Sequence, residues 1–441
     1  MILLRNQNAI DIMERTMNKV DDRLVDHGKR VAYMVYKCLV ANTGKMNHDH
    51  RNMRNICLLG MLHDVGAYKT EEINNMVRFE TEGPRVWDHS IYGYLFMKKF
   101  SPLRDWADVL LYHHADCDVL EKGKKQHLDS ESKPLNDQNA YLANLISLCD
   151  RADVFSAGSR STEDFLRYAE SKSGTVFSPA SIDAFQASGL DIGNLHSQMD
   201  SPEGVHFREV MYETPMSKNE ADAFMHMMIC SIEFRSPQTS AHSISVMSVA
   251  DTLAGLLGAS GHEKETMQTA ALLHDIGKVC IPIEILEKPD KLTPDEFAIM
   301  KQHVNFTKEI IEGCVGKKIC DTAVNHHEKI NGSGYPVGLA GTEIETSDRI
   351  LAVADILGAL NQNRSYRSSM PKEKSTAILT DAAAKGELDP LVVKTAIEHY
   401  DGIIRKMQED TASYVEAYNA INGEYYKMMS RIHGILEQNN R

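Results

Sequence analysis

One order of ligand-type residues is written twice along this chain. In the second half it runs His242, His274-Asp275, His303, His326-His327, Asp355, and in the first half His27, His63-Asp64, His89, His113-His114, Asp150. Flanking text repeats with it: LLGMLHDVGAYK parallels AALLHDIGKVCI, and SLCDRADVF parallels AVADILGAL. Each copy must gather five imidazoles and two carboxylates from distant stretches, so the fold is constrained to two similar compact units. The chemistry is constrained as well. An adjacent His-Asp supplies a nitrogen ligand and a carboxylate whose two oxygens can bridge two cations. Two metals about 3.5–4 Å apart lower the pKa of a shared water and hold both ends of a phosphoryl displacement. Burying so many polar groups without a metal would be costly. Each set therefore reads as a dinuclear metal site.

Apolar residues recur at three and four positions through most of the text, and strand-like alternation is scarce, which predicts an all-α chain. Expected boundaries are an N-terminal domain at 1–187, a linker or ordered surface loop at 188–219 rich in Gly, Ser, Pro and Asp, a second domain at 220–400, and a C-terminal helix at 401–441. Ser217 followed by Glu220 is a candidate capping box for the start of the second domain. The polar run 121–137 reads as a loop inserted in the first copy. Tyr414, Tyr418, Ile421, Tyr425, Met428, Ile432 and Ile435 form a heptad-like seam. That seam suits either packing of the helix on its own domain or a homodimer through it. In the first copy Asp153 competes with Asp150 for the last ligand position. Asp150 is preferred because it keeps Leu145 and Leu148 in step with Ile350 and Val353.

The net charge of −14 excludes a large nucleic-acid surface, because phosphate neutralisation needs clustered Lys and Arg. An anionic small substrate must be met by metal and a few local cations. Eight Cys without a CxxC pair or framework spacing suggest reduced thiols and a cytoplasmic setting. No apolar stretch approaches the roughly 18 residues of a membrane span, and no signal peptide is expected.

In the second copy HDIGK (274–278), KPDKLT (288–293), His303, HHE (326–328), GSGYP (332–336), AD (354–355) and RSYR (364–367) together resemble the HD-GYP family. These are bacterial cyclic-dinucleotide phosphodiesterases within the HD metal-phosphohydrolase superfamily, and the likeness runs from about Glu233 to Asp389. A chain with a preceding HD copy looks most like the 3′3′-cyclic GMP-AMP phosphodiesterases. The resemblance implies tandem HD-superfamily helical domains, the second an HD-GYP domain. It also implies two or three divalent ions of Fe or Mn type and hydrolysis of a 3′–5′ phosphodiester to a linear 5′-phosphorylated dinucleotide. Metal ligands would be Glu233, His242, His274, Asp275, His303, His326, His327 and Asp355, with Glu233 on a third ion and Asp275 as the bridge. Imidazole nitrogens suit Fe and Mn, and the carboxylates add hard oxygens. Asp275 and Lys278 are the candidate catalytic residues. Lys278, Gly334, Tyr335, Pro336, Arg364 and Arg367 are the candidate substrate contacts.

The text departs from the family at Asn331, where Asp is usual, at Gly358, where a second Asp is usual, and in the run RSPQT before His242. No first-contact ligand is lost. The altered surroundings favour 3′3′-cyclic GMP-AMP over cyclic di-GMP as substrate. The first copy keeps His27, His63, Asp64, His89, His113, His114 and Asp150 but has no GYP loop. It is either a scaffold or a second phosphohydrolase that removes the 5′-phosphate from the linear product. The competing readings are a cyclic di-GMP phosphodiesterase with a structural N-terminal domain, and a cyclic-dinucleotide sensor without turnover.

Overall fold

The computed structural model describes residues 6–20, 25–41, 49–67, 87–125, 128, 133–158, 160–234, 241–361 and 370–439. Arg364, Arg367 and the run 235–239 lie outside them. Every regular element among the described residues is helical. Two isolated bridges, Ser173 with Phe177 and Asn331 with Ala340, are the extended pairings found. The chain divides into two compact units. One comprises Met13–Met227 with Ala420–Arg441, and the other Met1–Ile12 with Met228–Asn419.

In the N-terminal unit the helix His27–Ala41 packs on His50–Met61 and on Asp137–Ser156. Val31, Val35, Leu58, Leu59, Leu142 and Leu145 are fully buried between them. In the other unit His242–Leu256 packs in the same way on Gly261–Leu273 and on Thr346–Asn361, around Val246, Val249, Leu272, Leu351 and Val353. Each such aliphatic side chain contributes about 1.5–3 kcal/mol on burial. Helix starts follow from sequence. Ser260 with Glu263 and Thr293 with Glu296 form reciprocal capping boxes, and Pro294 opens its helix where a missing N–H costs nothing. Ser217 and Glu220 make the expected reciprocal bonds as well.

One packing device occurs in both units. Two residues beyond each His-Asp pair, a Cβ on Gly66 would meet the His89 carbonyl oxygen at 2.1 Å, and one on Gly277 the His303 carbonyl oxygen at 2.1 Å. Glycine lets the turn after His-Asp press against the helix that carries the next histidine. That contact sets the spacing between the two halves of each site.

Residues 188–219 are not open chain: they form short helices at Leu195–Asp200 and Pro202–Arg208 and a wide turn at Glu209–Glu213, and they bury Leu195, Phe207, Val210 and Met211. Short helices of two turns leave too little periodicity to read. The C-terminal helix, Tyr400–Asn439, does not belong wholly to the second unit, since its residues from Ala420 group with the first. Two of its seam tyrosines have ring partners within the chain. Tyr418 lies 4.6 Å from Phe234 (ring centroids), Tyr425 stacks on Tyr92 at 4.5 Å, and Arg431 donates to the Leu128 carbonyl at 2.7 Å. Among the described residues of the run 121–137, Leu128 and Leu135 are buried. No described helix is long and apolar enough to cross a membrane.

Candidate metal centres

The same helix ends carry the ligand-type residues in both units. The first histidine opens a helix (His27 or His242), and His-Asp follows the C-terminus of the next one (His50–Met61 or Gly261–Leu273). The third histidine, His89 or His303, lies in the first turn of its helix. The paired histidines follow the ends of Ala107–Tyr112 and Lys317–Val324, and the last Asp sits inside a long helix. The tandem arrangement read from sequence is therefore present as structure.

In the second unit Asp275 stands between two groups of imidazoles. Its Oδ2 lies 3.3 Å from His242 Nε2 and 3.2 Å from His274 Nε2, while Oδ1 lies 3.4 Å from His303 Nε2 and 4.0 Å from His326 Nε2. Asp355 Oδ1 closes the first group at 3.2 Å from His242, and its Oδ2 is 3.9 Å from His327 Nδ1. His326 and His327 thus face the same half, together with His303. Tautomers are fixed from behind. Nδ1 of His274, His303 and His326 donates to the carbonyl three residues earlier at 2.6, 2.6 and 2.7 Å. That leaves Nε2 with its lone pair turned inward, as metal-ligating imidazoles require.

The N-terminal unit repeats this arrangement. Asp64 Oδ2 lies 3.8 Å from His27 and 3.3 Å from His63, and Oδ1 lies 3.5 Å from His89 and 3.8 Å from His113. Asp150 Oδ1 is 3.4 Å from His27, and His114 Nε2 is 3.0 Å from His89 Nε2. Asp153 lies on the other side of His27: its Oδ2 accepts from Nδ1 at 2.7 Å and it also pairs with Arg30. The structure therefore brings Asp150 to the cluster and Asp153 to its support.

Both clusters fit divalent ions. His274 Nε2, Asp275 Oδ1 and both Asp64 oxygens are buried without a hydrogen-bond donor. Facing lone pairs repel unless a cation or proton sits between them. Burial alone would lower the pKa of His242, but Asp275 and Asp355 outweigh it and hold it at about 9. His27 rises to about 10 in the same way, burial being outweighed by Asp150 and Asp153. In the three-histidine halves burial prevails, so His303 falls to about 4 and His326 well below its ordinary value. Those imidazoles stay neutral, which is the ligating form.

Around the second centre, Glu233 is buried and its Oε1 accepts from Ser243 N at 2.5 Å. It lines one cavity with His242, Asp275, Ile276 and Lys278. The Lys278 ammonium pairs with Asp275 Oδ2 at 2.5 Å. Tyr335 lies 4.7 Å from His327 between ring centroids. Gly334 permits the loop to fold back, since a Cβ there would meet Lys329 N at 2.4 Å. Asn331 is a loop residue: its Oδ1 accepts from Ser333 N, and its Nδ2 donates to the Lys385 carbonyl. Sequence reasoning passed over Glu328. It is buried and accepts from the N–H groups of Val337, Gly338 and Leu339 at 2.8 to 3.1 Å, which holds the GYP loop in place. Its position directly after His-His was the available signal.

Residues 226–392 match the HD domain family. Over 431 residues the chain is 28% identical to the 3′3′-cGAMP-specific phosphodiesterase 1 of Vibrio cholerae serotype O1, covering 91% of this chain and 92% of that one. It is 41% identical over 180 residues to the 3′3′-cGAMP-specific phosphodiesterase 2 of that organism, which is 39% of this chain and 34% of that protein. It is 36% identical over 186 residues to a cyclic di-GMP phosphodiesterase of Thermotoga maritima, 41% of this chain and half (50%) of that one. In fold it is similar to the crystal structure of a cyclic GMP-AMP specific phosphodiesterase from V. cholerae, with TM-score 0.53 and 19% identity over 90% of this chain and 98% of that one. Residues 226–392 thus carry the likeness to the HD domain family, and the chain as a whole resembles phosphodiesterases that act on cyclic dinucleotides.

Proposed function

We propose that the second unit hydrolyses a 3′–5′ bond of a cyclic dinucleotide, with 3′3′-cyclic GMP-AMP preferred, to give the linear 5′-phosphorylated dinucleotide. The observation that carries this is Asp275, whose two oxygens face two separate histidine groups beside the Tyr335 loop. The near full-length likeness to a 3′3′-cGAMP-specific phosphodiesterase supports the substrate. His242, His274, Asp275 and Asp355 would hold one ion, and Asp275, His303, His326 and His327 a second. Glu233 would serve a third. The histidine-rich donor set suits Fe or Mn. Such ions supply Lewis-acid polarisation of the phosphate and acidify the attacking water.

The chain's own groups do the rest. Lys278 places a fixed positive charge at the centre, where negative charge grows on the phosphoryl oxygens. Burial, with Asp275 and Asp355 nearby, pushes the Tyr335 hydroxyl far up, so it stays protonated and can only donate to an anionic substrate. The proposed setting is the cytoplasm, in keeping with eight Cys that show no CxxC pair or framework spacing.

For the N-terminal unit we propose a phosphomonoesterase that takes the linear product and releases its 5′-phosphate. Its ligand set is complete, and it has no GYP loop to embrace a ring. A terminal phosphate needs less shaping of the site. The test is product analysis of Mn- or Fe-loaded protein given 3′3′-cyclic GMP-AMP, cyclic di-GMP and the linear dinucleotide. Linear product and then inorganic phosphate are expected. Binding without turnover would mark a sensor, and ring opening without phosphate would make the first unit a scaffold.

A further inference from the structure

An aromatic path leads outward from the second centre. His327 meets Tyr335 at 4.7 Å between ring centroids, and Tyr335 meets Phe297 edge-on at 6.3 Å. Phe297 lies on the helix Pro294–Lys301 and is 46% exposed. Lys301 closes the cluster, with its ammonium 5.3 Å from the Phe297 ring centroid and 5.7 Å from that of Tyr335. Lys288 pairs with Glu296 and Lys329 with Glu387. Lys301 meets no carboxylate among the described residues and is held only over the two rings.

We propose that Phe297 and Lys301 form the subsite for the half of the cyclic dinucleotide that is not being cleaved. The purine of that half stacks on the exposed face of Phe297, and its phosphate is met by the Lys301 ammonium. The inference rests on the cyclic-dinucleotide reading of the centre and extends it to residues outside the ligand set. A cyclic dinucleotide carries two phosphates and two bases. When one phosphate is at Asp275 and Lys278, the other adds a charge that this acidic chain, at net −14, must meet locally. A cation fixed over aromatic rings beside the centre meets that demand. A flat apolar ring beside it accepts either purine, because stacking is tolerant of base identity. Phe297 is exposed and its helix is held by the Thr293–Glu296 capping box, so truncation leaves the fold intact.

The experiment compares wild type, Phe297→Ala, Phe297→Trp, Lys301→Gln and Lys301→Arg, loaded with Mn. Substrates are 3′3′-cyclic GMP-AMP and bis(4-nitrophenyl) phosphate, a diester too small to span the subsite. Equilibrium binding of a phosphorothioate analogue of the cyclic dinucleotide is measured in parallel. Phe297→Ala should raise KM and Kd for the cyclic dinucleotide about tenfold or more. Its kcat/KM for that substrate should fall about tenfold further than for the small diester. Phe297→Trp should retain binding, and Lys301→Arg should retain what Lys301→Gln loses. Equal losses on both substrates, or unchanged Kd for the analogue, would overturn the subsite while leaving the phosphodiesterase reading standing. No turnover of any cyclic dinucleotide by wild type would overturn that reading, and the subsite with it.

Discussion

Nδ1 of His27 donates to Asp153 at 2.7 Å, and three residues after Asp355, where the second copy would carry the matching carboxylate, stands Gly358. There a Cβ would meet Val246 Cγ2 at 2.9 Å, so a carboxylate side chain at this position would run into Val246. The two centres share their inward-facing His and Asp residues, and the Asp153 carboxylate of the first has Gly358 at its position in the second. Arg30 pairs with that carboxylate in the first copy, at 2.6 and 2.8 Å from the Asp153 oxygens.

Asp153→Asn should therefore weaken metal binding at the N-terminal centre about 10–100-fold, the usual cost of losing a carboxylate behind a ligating imidazole. Metal titration of an Asp275→Ala background, in which the second centre is disabled, reads this directly. Affinity equal to that of the background would show that His27 needs no such partner.

Glu328→Ala leaves the N–H groups of Val337, Gly338 and Leu339 without their acceptor. The expected cost is about 2–4 kcal/mol of stability, from several lost charge-assisted hydrogen bonds. A fall in kcat/KM on the cyclic dinucleotide should accompany it as Tyr335 loses its setting. Denaturant unfolding with steady-state kinetics checks both, and a change in neither would contradict the assigned anchoring role.

Gly66→Ala and Gly277→Ala test the shared turn. Each Cβ would run into backbone, the His89 or His303 carbonyl, which cannot give way as a flexible side chain could. Overpacking of this kind costs about 1–3 kcal/mol or more. Each variant should lose metal from its own centre and keep it at the other, as read by metal content per chain. Full occupancy of both centres in either variant would show the turn to be tolerant.

Asp389 caps the helix Pro390–Glu398 through Leu391 N and Val392 N and pairs with Arg349 at 2.9 Å. Burial raises its pKa, but Arg349 and the two N–H groups outweigh it and leave the carboxyl below its ordinary value. A depressed folded-state pKa stabilises above the unfolded value of about 3.9 and is lost as pH falls through the folded one. Asp389→Asn should cost about 1–2 kcal/mol at pH 7 and progressively less below about pH 4. Unfolding free energies at pH 7 and pH 3.5 check this, and a difference independent of pH would remove the ion pair from the account.

The repeated order of His and Asp was legible because it recurs residue by residue, and Asp275 and Asp64 each lie between two histidine groups. Helical class was legible from apolar periodicity. What escaped the sequence depends on contacts between distant segments. Glu328 reads as one more polar residue after His-His until the loop folds back onto it. Asp153 competed with Asp150 because both lie on one helix, and only its packing against His27 and Arg30 shows which way each faces. The segment 188–219 looked like linker because two-turn helices carry few periodic positions, although Phe207 and Val210 are buried.

The central claim is that the second unit opens a cyclic dinucleotide at a centre built around Asp275. Wild type, Asp64→Ala and Asp275→Ala, each loaded with Mn or Fe and checked for metal, are incubated with 3′3′-cyclic GMP-AMP, and the linear dinucleotide is quantified against time. Wild type and Asp64→Ala should open the ring, and Asp275→Ala should be slower by at least about a hundredfold. Ring opening at the wild-type rate in metal-verified Asp275→Ala would contradict the account.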